Sequence, residues 1–192
     1  MGTQIQDAKL ALRRQVREKL EAMAAANRTT ASDQACSLLS QQKLWEQARS
    51  VLFYAPFPRE LDLWPLVANA LAGGKTVALP RFIAESNLYV ACEVRNPSAD
   101  LKPGQFGLRE PAEHCAPMAI YALDFVLVPG VAFDLHGRRL GRGKGFYDQL
   151  LAVVRGKSCG VAFDEQIVGS VPVEPHDVPV DCILTPTRWI EL

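Results

Sequence analysis

Apolar residues at Ile5, Ala8, Leu12, Val16, Leu20 and Met23 recur every three or four positions, which predicts an amphipathic helix over residues 3–25. Thr3 and Gln6 stand at the spacing of a capping box at its start. A second helix is predicted from about Ala31 to Gln42, with Thr30 as its cap. The pattern then shortens. SVLFYAP (50–56) is an apolar run closed by proline, the mark of a buried strand. DLWPLVANALAGG (62–74) predicts a helix stopped by Gly73 and Gly74. TVALP (76–80) and LYVACEV (88–94) predict two further strands. Residues 95–122 are rich in Pro, Gly and charge and show no clear period, but interspersed apolar residues predict an ordered connection rather than a linker. DFVLVPG (124–130) is a strongly apolar strand, followed by a polar loop and a helix over about 145–155. SCGVAF (158–163) and DCILTP (181–186) supply the last two strands.

Strands alternating with helices imply an α/β layer fold with a largely parallel sheet. No internal repeat or composition break divides the chain, so residues 1–192 are read as a single domain, long enough to bury roughly two-thirds of the unfolded surface. Lys plus Arg equals Asp plus Glu at 21 each, which argues against a general nucleic-acid or membrane-surface binder and makes any cationic patch local. The five cysteines (Cys36, Cys92, Cys115, Cys159, Cys182) are scattered and never form a C-x-x-C pair, which speaks against a zinc site or a disulfide framework. No apolar signal core and no apolar run of spanning length occur, so a reduced, cytoplasmic protein is expected.

The local cationic patch is GRRLGRGKGFYDQLL (137–151), with four glycines and four cations in its first nine residues. It follows an apolar strand and precedes a helix, which places it at the carboxyl ends of the strands, where parallel α/β sheets bind ligands. Gly141, Gly143 and Gly145 permit positive φ and close approach of backbone N–H groups to an anion. Arg138, Arg139, Arg142 and Lys144 add charge, and the following helix adds its positive end. These are the features of a polyphosphate cradle. Named motifs fit it badly: Lys144 is followed by glycine rather than the Ser or Thr of a P-loop, and the glycines fall as G-x-G-x-G rather than G-x-G-x-x-G. The residues alone therefore leave an anion-binding loop of unnamed ligand beside the plainer alternative of a solvated basic turn. Asp148 is either a helix-dipole partner or a magnesium ligand. Asp134 and Asp181 are the other candidate oxygen donors, and spacing places neither near Asp148.

VPGVAFDLHGRRLGRGKGFYDQLL (128–151) resembles the 5-formyltetrahydrofolate cyclo-ligase (methenyltetrahydrofolate synthetase) family. KLALRRQVR near the start, YAPFPRELD (54–62), LPR (79–81), FGLREP (106–111) and PHDVPVDCILTP (175–186) agree in order, so the resemblance spans nearly the whole chain. It implies a three-layer α/β/α fold with a largely parallel sheet, of the NagB/RpiA/CoA-transferase-like architecture. It also implies a cyclo-ligase that uses ATP as co-substrate and Mg2+. ATP phosphorylates the formyl oxygen of 5-formyltetrahydrofolate, giving an iminophosphate. Nitrogen 10 then attacks that carbon, and 5,10-methenyltetrahydrofolate, ADP and phosphate are released. Such a reaction needs placed cations and backbone donors more than a nucleophilic side chain.

Carried over by position, the resemblance implies ATP contacts at Lys9, Arg13, Arg139, Leu140, Gly141, Arg142, Gly143, Lys144, Gly145, Phe146 and Tyr147. It implies substrate contacts at Ala55, Glu60, Arg142, Gly143, Lys144, Gly145 and Phe146, with Arg142 and Lys144 as the catalytic cations. Asp148 and Asp181 match its magnesium positions. A carboxylate at Glu60 suits the paired donors of a pterin. Two positions depart from the family pattern. ELDLWP lacks a frequent threonine, which leaves helix capping at residue 62 open, and Phe146 replaces a frequent tyrosine while keeping a stacking face. His176 and Asp177 leave a catalytic and a structural reading open, a histidine beside a proline-rich turn being more often structural; Trp45, Trp64 and Trp189 read as core or interface aromatics, and Cys92, Cys159 and Cys182 as buried and inert. The alternatives are a sugar-phosphate isomerase or CoA-transferase relative, and a nucleotide-binding module without turnover. The expected partners are 5-formyltetrahydrofolate and ATP, with no nucleic acid and no membrane, acting on a monomer or homodimer.

Overall fold

Aliphatic strands of three to eight residues are long enough only to form the middle of a sheet that helices cover, and the chain is arranged accordingly. The computed structural model describes residues 2–86, 88–104, 107–143 and 145–192, without the side chains of Gly2 and Thr3. Helices α1 (Gly2–Ala22), α2 (Ala25–Ser40) and α3 (Lys43–Gln47) precede β1 (Ser50–Leu52) and α4 (Trp64–Ala72). β2 (Thr76–Ile83) and β3 (Leu88–Val94) lead into a connection that holds α5 (Pro97–Asp100), β4 (Leu101–Pro103), β5 (Arg109–Pro111) and β6 (Pro117–Met118). β7 (Phe125–Pro129) is followed by the hairpin of β8 (Ala132–Phe133) and β9 (Arg139–Leu140). Then come α6 (Phe146–Leu151), β10 (Lys157–Val161), β11 (Cys182–Leu184) and β12 (Trp189–Glu191).

One eight-stranded sheet runs in the order β12-β11-β10-β7-β1-β2-β3-β6. β11, β10, β7, β1 and β2 are mutually parallel, which bears out the largely parallel sheet. β3 returns antiparallel on β2, and β12 closes the other edge antiparallel to β11. Alternate residues of the central strands face opposite layers. Val51, Val77, Leu79, Phe125 and Leu127 pack with Val16, Leu20, Leu39 and Val67 of α1, α2 and α4. Leu52, Ala78, Val126 and Val128 pack with Leu150 and Leu151 of α6 on the other side. Helices thus cover both faces.

Several boundaries differ from expectation. The second helix begins at Ala25, so Thr30 lies inside it, its hydroxyl donating to the Ala26 carbonyl at 3.2 Å instead of capping. Arg28 closes the preceding helix by donating to the Met23 carbonyl at 2.6 Å, a contact that no apolar period announces. The expected Thr3 side-chain cap lies outside the described residues, and Gln6 instead donates to Glu174 at 2.9 Å. α6 is only six residues long, shorter than the 145–155 expected, so the loop amides and side chains, more than a helix dipole, set the charge there. The N-cap position of α4, Leu63, makes no side-chain cap; one residue earlier, the Asp62 carboxylate accepts from the Trp64 N–H at 2.8 Å in an Asx turn. All five cysteines are free and buried, Trp45 is in the core, and Trp64 and Trp189 pack against it.

Candidate active site

One cavity opens past the carboxyl ends of β1 and β7, and a second, beside α1, shares one of its walls. The first, about 360 Å³, is framed by Tyr54, Ala55, Phe57, Pro80, Tyr89, Leu108, Phe146 and Tyr147, with Glu60 and Glu110 as its carboxylates. The second, about 290 Å³, is polar and is framed by Gln6, Lys9, Arg13, Leu140, Glu174, His176 and Asp177. Arg139, Gly141, Gly143, Gly145 and Asp148 line both. The shared wall is the basic glycine loop.

Backbone chemistry explains its shape. Gly145 sits at φ +68°, the left-handed region that lets the chain turn into α6. At Gly141 a Cβ would lie 2.7 Å from Arg139 Nη1, so glycine lets the loop lie directly on that guanidinium. Arg139 is buried and donates from Nη2 to Asp148 Oδ1 at 2.7 Å, while its Nη1 reaches the Pro129 carbonyl at 3.4 Å. From outside, Arg13 Nε donates to the Gly141 carbonyl at 2.9 Å and ties the loop to α1. Arg142 Nη2 donates to Glu60 Oε1 at 2.7 Å, and its guanidinium lies over the Phe57 ring at 4.4 Å. Glu60 is itself placed by its own turn, where Oε2 accepts from the Phe57 N–H at 3.0 Å. The buried Tyr54 hydroxyl fixes the far end of that turn by donating to the Leu61 carbonyl at 2.7 Å.

The N-terminal pair behaves as one helical face. Lys9 is buried, and its Nζ donates to Asp177 Oδ2 at 2.8 Å and to Glu174 Oε2 at 2.9 Å. Burial works against the Lys9 charge, but the hydrogen bonds and charges of the two carboxylates outweigh it and hold the ammonium above its ordinary pKa. In return Lys9 holds Glu174 below the usual carboxylate range. Burial opposes the Asp177 charge, yet hydrogen bonds from Lys9 and the Glu174 N–H bring its pKa below the usual range as well. Both carboxylates have depressed folded values, so their stabilisation is complete only above their ordinary values, about pH 5, and is lost as pH falls through the folded values. Lys9→Met is therefore expected to lower the melting temperature by several degrees at pH 7. Its deficit should narrow steadily below about pH 5 in urea melts taken across pH. A constant gap at all pH values would mean that the triad is not what the substitution removes.

The expected site residues divide clearly. Lys9, Arg13, Arg139, Leu140, Gly141, Gly143, Gly145, Phe146, Tyr147, Asp148, Arg142, Ala55 and Glu60 all line one or both cavities. Lys144 lies outside the described residues. Asp181 is not brought to Asp148. It precedes β11 at the amino end of the strands, where its carboxylate accepts from Lys157 Nζ at 2.9 Å and from the Ser158 N–H and hydroxyl at 2.9 and 2.7 Å. Ser158 is level with Val126, whereas Asp148 joins Arg139 over Pro129, and three strand residues, about 10 Å, separate those levels. Asp134 is fully buried and accepts from the N–H groups of His136, Arg138 and Val171, a structural role. His176 stands on the rim of the polar cavity with its ring mostly exposed, and Asp177 is the buried partner of Lys9. Asp100, His114 and Cys115 are the one grouping of three close metal-capable side chains among the described residues, and they line neither cavity.

Sequence reasoning passed over Tyr89, Glu110 and Glu174. Tyr89 stacks on Phe146 with ring centroids 4.7 Å apart, and Phe146 meets Tyr147 at 4.8 Å, so an aromatic shelf runs along the first cavity. Glu110 lies in the unperiodic segment 95–122, where FGLREP quotes it but nothing in its spacing marks a role.

The profile of the 5-formyltetrahydrofolate cyclo-ligase family matches residues 5–186. The chain is 28% identical to the 5-formyltetrahydrofolate cyclo-ligase of Mus musculus over 94% of each chain. It is 29% identical to that of Escherichia coli strain K12, covering 90% of this chain and 97% of the relative. The solved structure of Aquifex aeolicus 5,10-methenyltetrahydrofolate synthetase superposes with a TM-score of 0.85 at 36% identity, over 96% of this chain and 92% of the other. The matched span holds α1 from Ile5 onward, the Glu60 turn, the glycine loop and the carboxylates of the polar cavity, which is to say both cavities entire. The chain belongs to the 5-formyltetrahydrofolate cyclo-ligase family.

Proposed function

We propose that the chain closes 5-formyltetrahydrofolate to 5,10-methenyltetrahydrofolate at the cost of ATP. The observation that carries this assignment is the shared wall: an aromatic cleft and a polar cavity meet at one glycine-rich, cationic loop. The aromatic shelf and Glu60 suit the flat, donor-edged pterin, with Ala55 beside it. Lys9, Arg13 and the loop amides suit a triphosphate in the second cavity. The terminal phosphate would then lie at the loop, whose backbone amides and cations neutralise charge as it moves to the formyl oxygen. An amide oxygen is a weak nucleophile, so holding it in line with that phosphate supplies much of the rate. Nitrogen 10 completes the ring, and phosphate departs.

Mg2+ favours one or two carboxylates together with substrate phosphates. Asp148, on the wall common to both cavities, fits that requirement, with one oxygen on Arg139. Asp181 does not fit, because its oxygens serve Lys157 and Ser158 at the other end of the strands. Bound at Asp148, the ion would offset negative charge on the phosphates. No helix among the described residues is long and apolar enough to cross a membrane, and five buried, unpaired cysteines suit the reducing cytoplasm.

The test mixes the protein with 5-formyltetrahydrofolate, ATP and Mg2+ and follows the methenyl chromophore and ADP together. Both should rise in equal amounts and stop when any one component is omitted. An isomerase or transferase relative would turn over without ATP, and a binding module would take up ATP without consuming it. A folded protein that makes neither product contradicts the proposal.

A further inference from the structure

Two carboxylates, Glu60 and Glu110, line the cavity that holds the aromatic shelf of Tyr147, Phe146 and Tyr89. Burial, and after it the Glu60 charge, pushes the Tyr147 phenol up. Burial, and after it the Glu110 charge, does the same to Tyr89 at the opposite end. Glu60 is held by Arg142 and the Phe57 N–H, whereas Glu110 is held by the Phe82 N–H, whose ring packs on Tyr89, so the two acids belong to different parts of the cavity wall.

Glu110 is built into the cavity wall. It is 7% exposed, and its Oε2 accepts from the Phe82 N–H at 3.2 Å. Its side chain crosses Gly104 so closely that a Cβ there would lie 2.3 Å from the carboxyl carbon, so position 104 leaves room for nothing larger than glycine. Phe82 packs on Tyr89 with centroids 5.1 Å apart, which couples the backbone that holds Glu110 to the shelf itself. Such an anchored carboxylate in a largely apolar cleft is placed for chemistry or for recognition.

Resting on the function proposed above, we infer that Glu110 accepts the proton that nitrogen 10 releases during ring closure. Glu60, engaged by Arg142 and the Phe57 N–H, suits the donor edge of the pterin, which leaves the nitrogen 5 and nitrogen 10 side toward Tyr89 and Glu110. When nitrogen 10 bonds to the formyl carbon it becomes a protonated amine with no lone pair to contribute. Transfer of that proton to the Glu110 carboxylate restores the lone pair. The carbon–oxygen bond to the phosphorylated oxygen then breaks, and phosphate leaves with the electron pair. The positive charge spreads over nitrogens 5 and 10 of the methenyl product. Glu110 returns its proton to solvent after product release, so atoms, charge and protons balance.

The test is Glu110→Gln, which keeps the shape and an acceptor for the Phe82 N–H. Methenyl formation should fall about 100-fold with little change in KM for the folate, the usual size of a lost general base. In a single turnover the variant should still release ADP, because phosphoryl transfer precedes proton removal, so its ADP-to-methenyl ratio rises well above the ratio of one expected for the parent. Glu110→Asp, which draws the carboxylate back by one methylene, should recover part of the methenyl rate and remains available if the glutamine variant folds poorly. Equal loss of ADP and methenyl in the first turnover would overturn the inference, as would a raised KM with unchanged kcat or a parental rate. Failure of the parent itself to make ADP or methenyl would instead overturn the function on which the inference rests.

Discussion

Arg139→Met is expected to cost about 3 kcal/mol of stability and to lower turnover by at least about 100-fold. Arg139 is 6% exposed and lies beneath the loop, with Asp148 at 2.7 Å and the Gly141 backbone directly above it. Its guanidinium also faces the Tyr147 ring at 5.6 Å, so one side chain joins loop, helix start and aromatic shelf. Removing one member of a buried pair leaves the other charge without its partner, which costs more than the pair is worth when intact. The loss falls at the low end of the range for buried pairs because the Asp148 side chain is 22% exposed. Methionine fills the volume but cannot hold the loop down, so the loop amides lose their alignment. Urea melts and turnover measured on the same preparation check both parts. Native stability with native turnover would show that the loop stands without its arginine floor.

Glu60→Ala should act differently, raising the KM for 5-formyltetrahydrofolate about 100-fold, equivalent to about 3 kcal/mol, with a smaller effect on kcat. Glu60 lines only the apolar cavity and offers a carboxylate to ligand donors, whereas the polar cavity is framed by other residues. Nucleotide affinity measured without folate should therefore change little. The Arg142–Glu60 pair contributes little to stability, because the arginine side chain is 51% exposed and such pairs are worth under about 1 kcal/mol. Folate affinity that survives while nucleotide affinity collapses would reverse the assignment of the two cavities.

The two substitutions also show which parts of the site were legible in the sequence. The glycine loop was, because glycines and cations so dense in one stretch have few structural uses, whereas the i, i+4 spacing of Lys9 and Arg13 by itself suits a solvated helix face and only the family resemblance marked that pair. The central strands were legible from short apolar runs ended by proline or glycine, and alternate residues of those runs do face opposite layers. Residues 95–122 were not, because individual hydrogen bonds rather than periodicity shape them: Arg81, from outside the segment, donates to the Ala112 carbonyl at 2.6 Å, and Asp100 accepts locally from the N–H groups of Arg95 and Asn96. Glu110 was hidden by the same cause. Glu174 was hidden because its partner, Lys9, is 165 residues away. Asp181 shows the reverse error: a motif position was carried over, but its carboxylate is spent on Lys157 and Ser158 at the far end of the strands.

Ring closure with the formyl oxygen of 5-formyltetrahydrofolate labelled by oxygen-18 tests the central claim most directly. If the shared loop brings the terminal phosphate of ATP onto that oxygen, each phosphate released carries one labelled oxygen. Phosphate without label, formed alongside the methenyl product, would contradict transfer to the formyl oxygen and with it the role given to the wall between the two cavities.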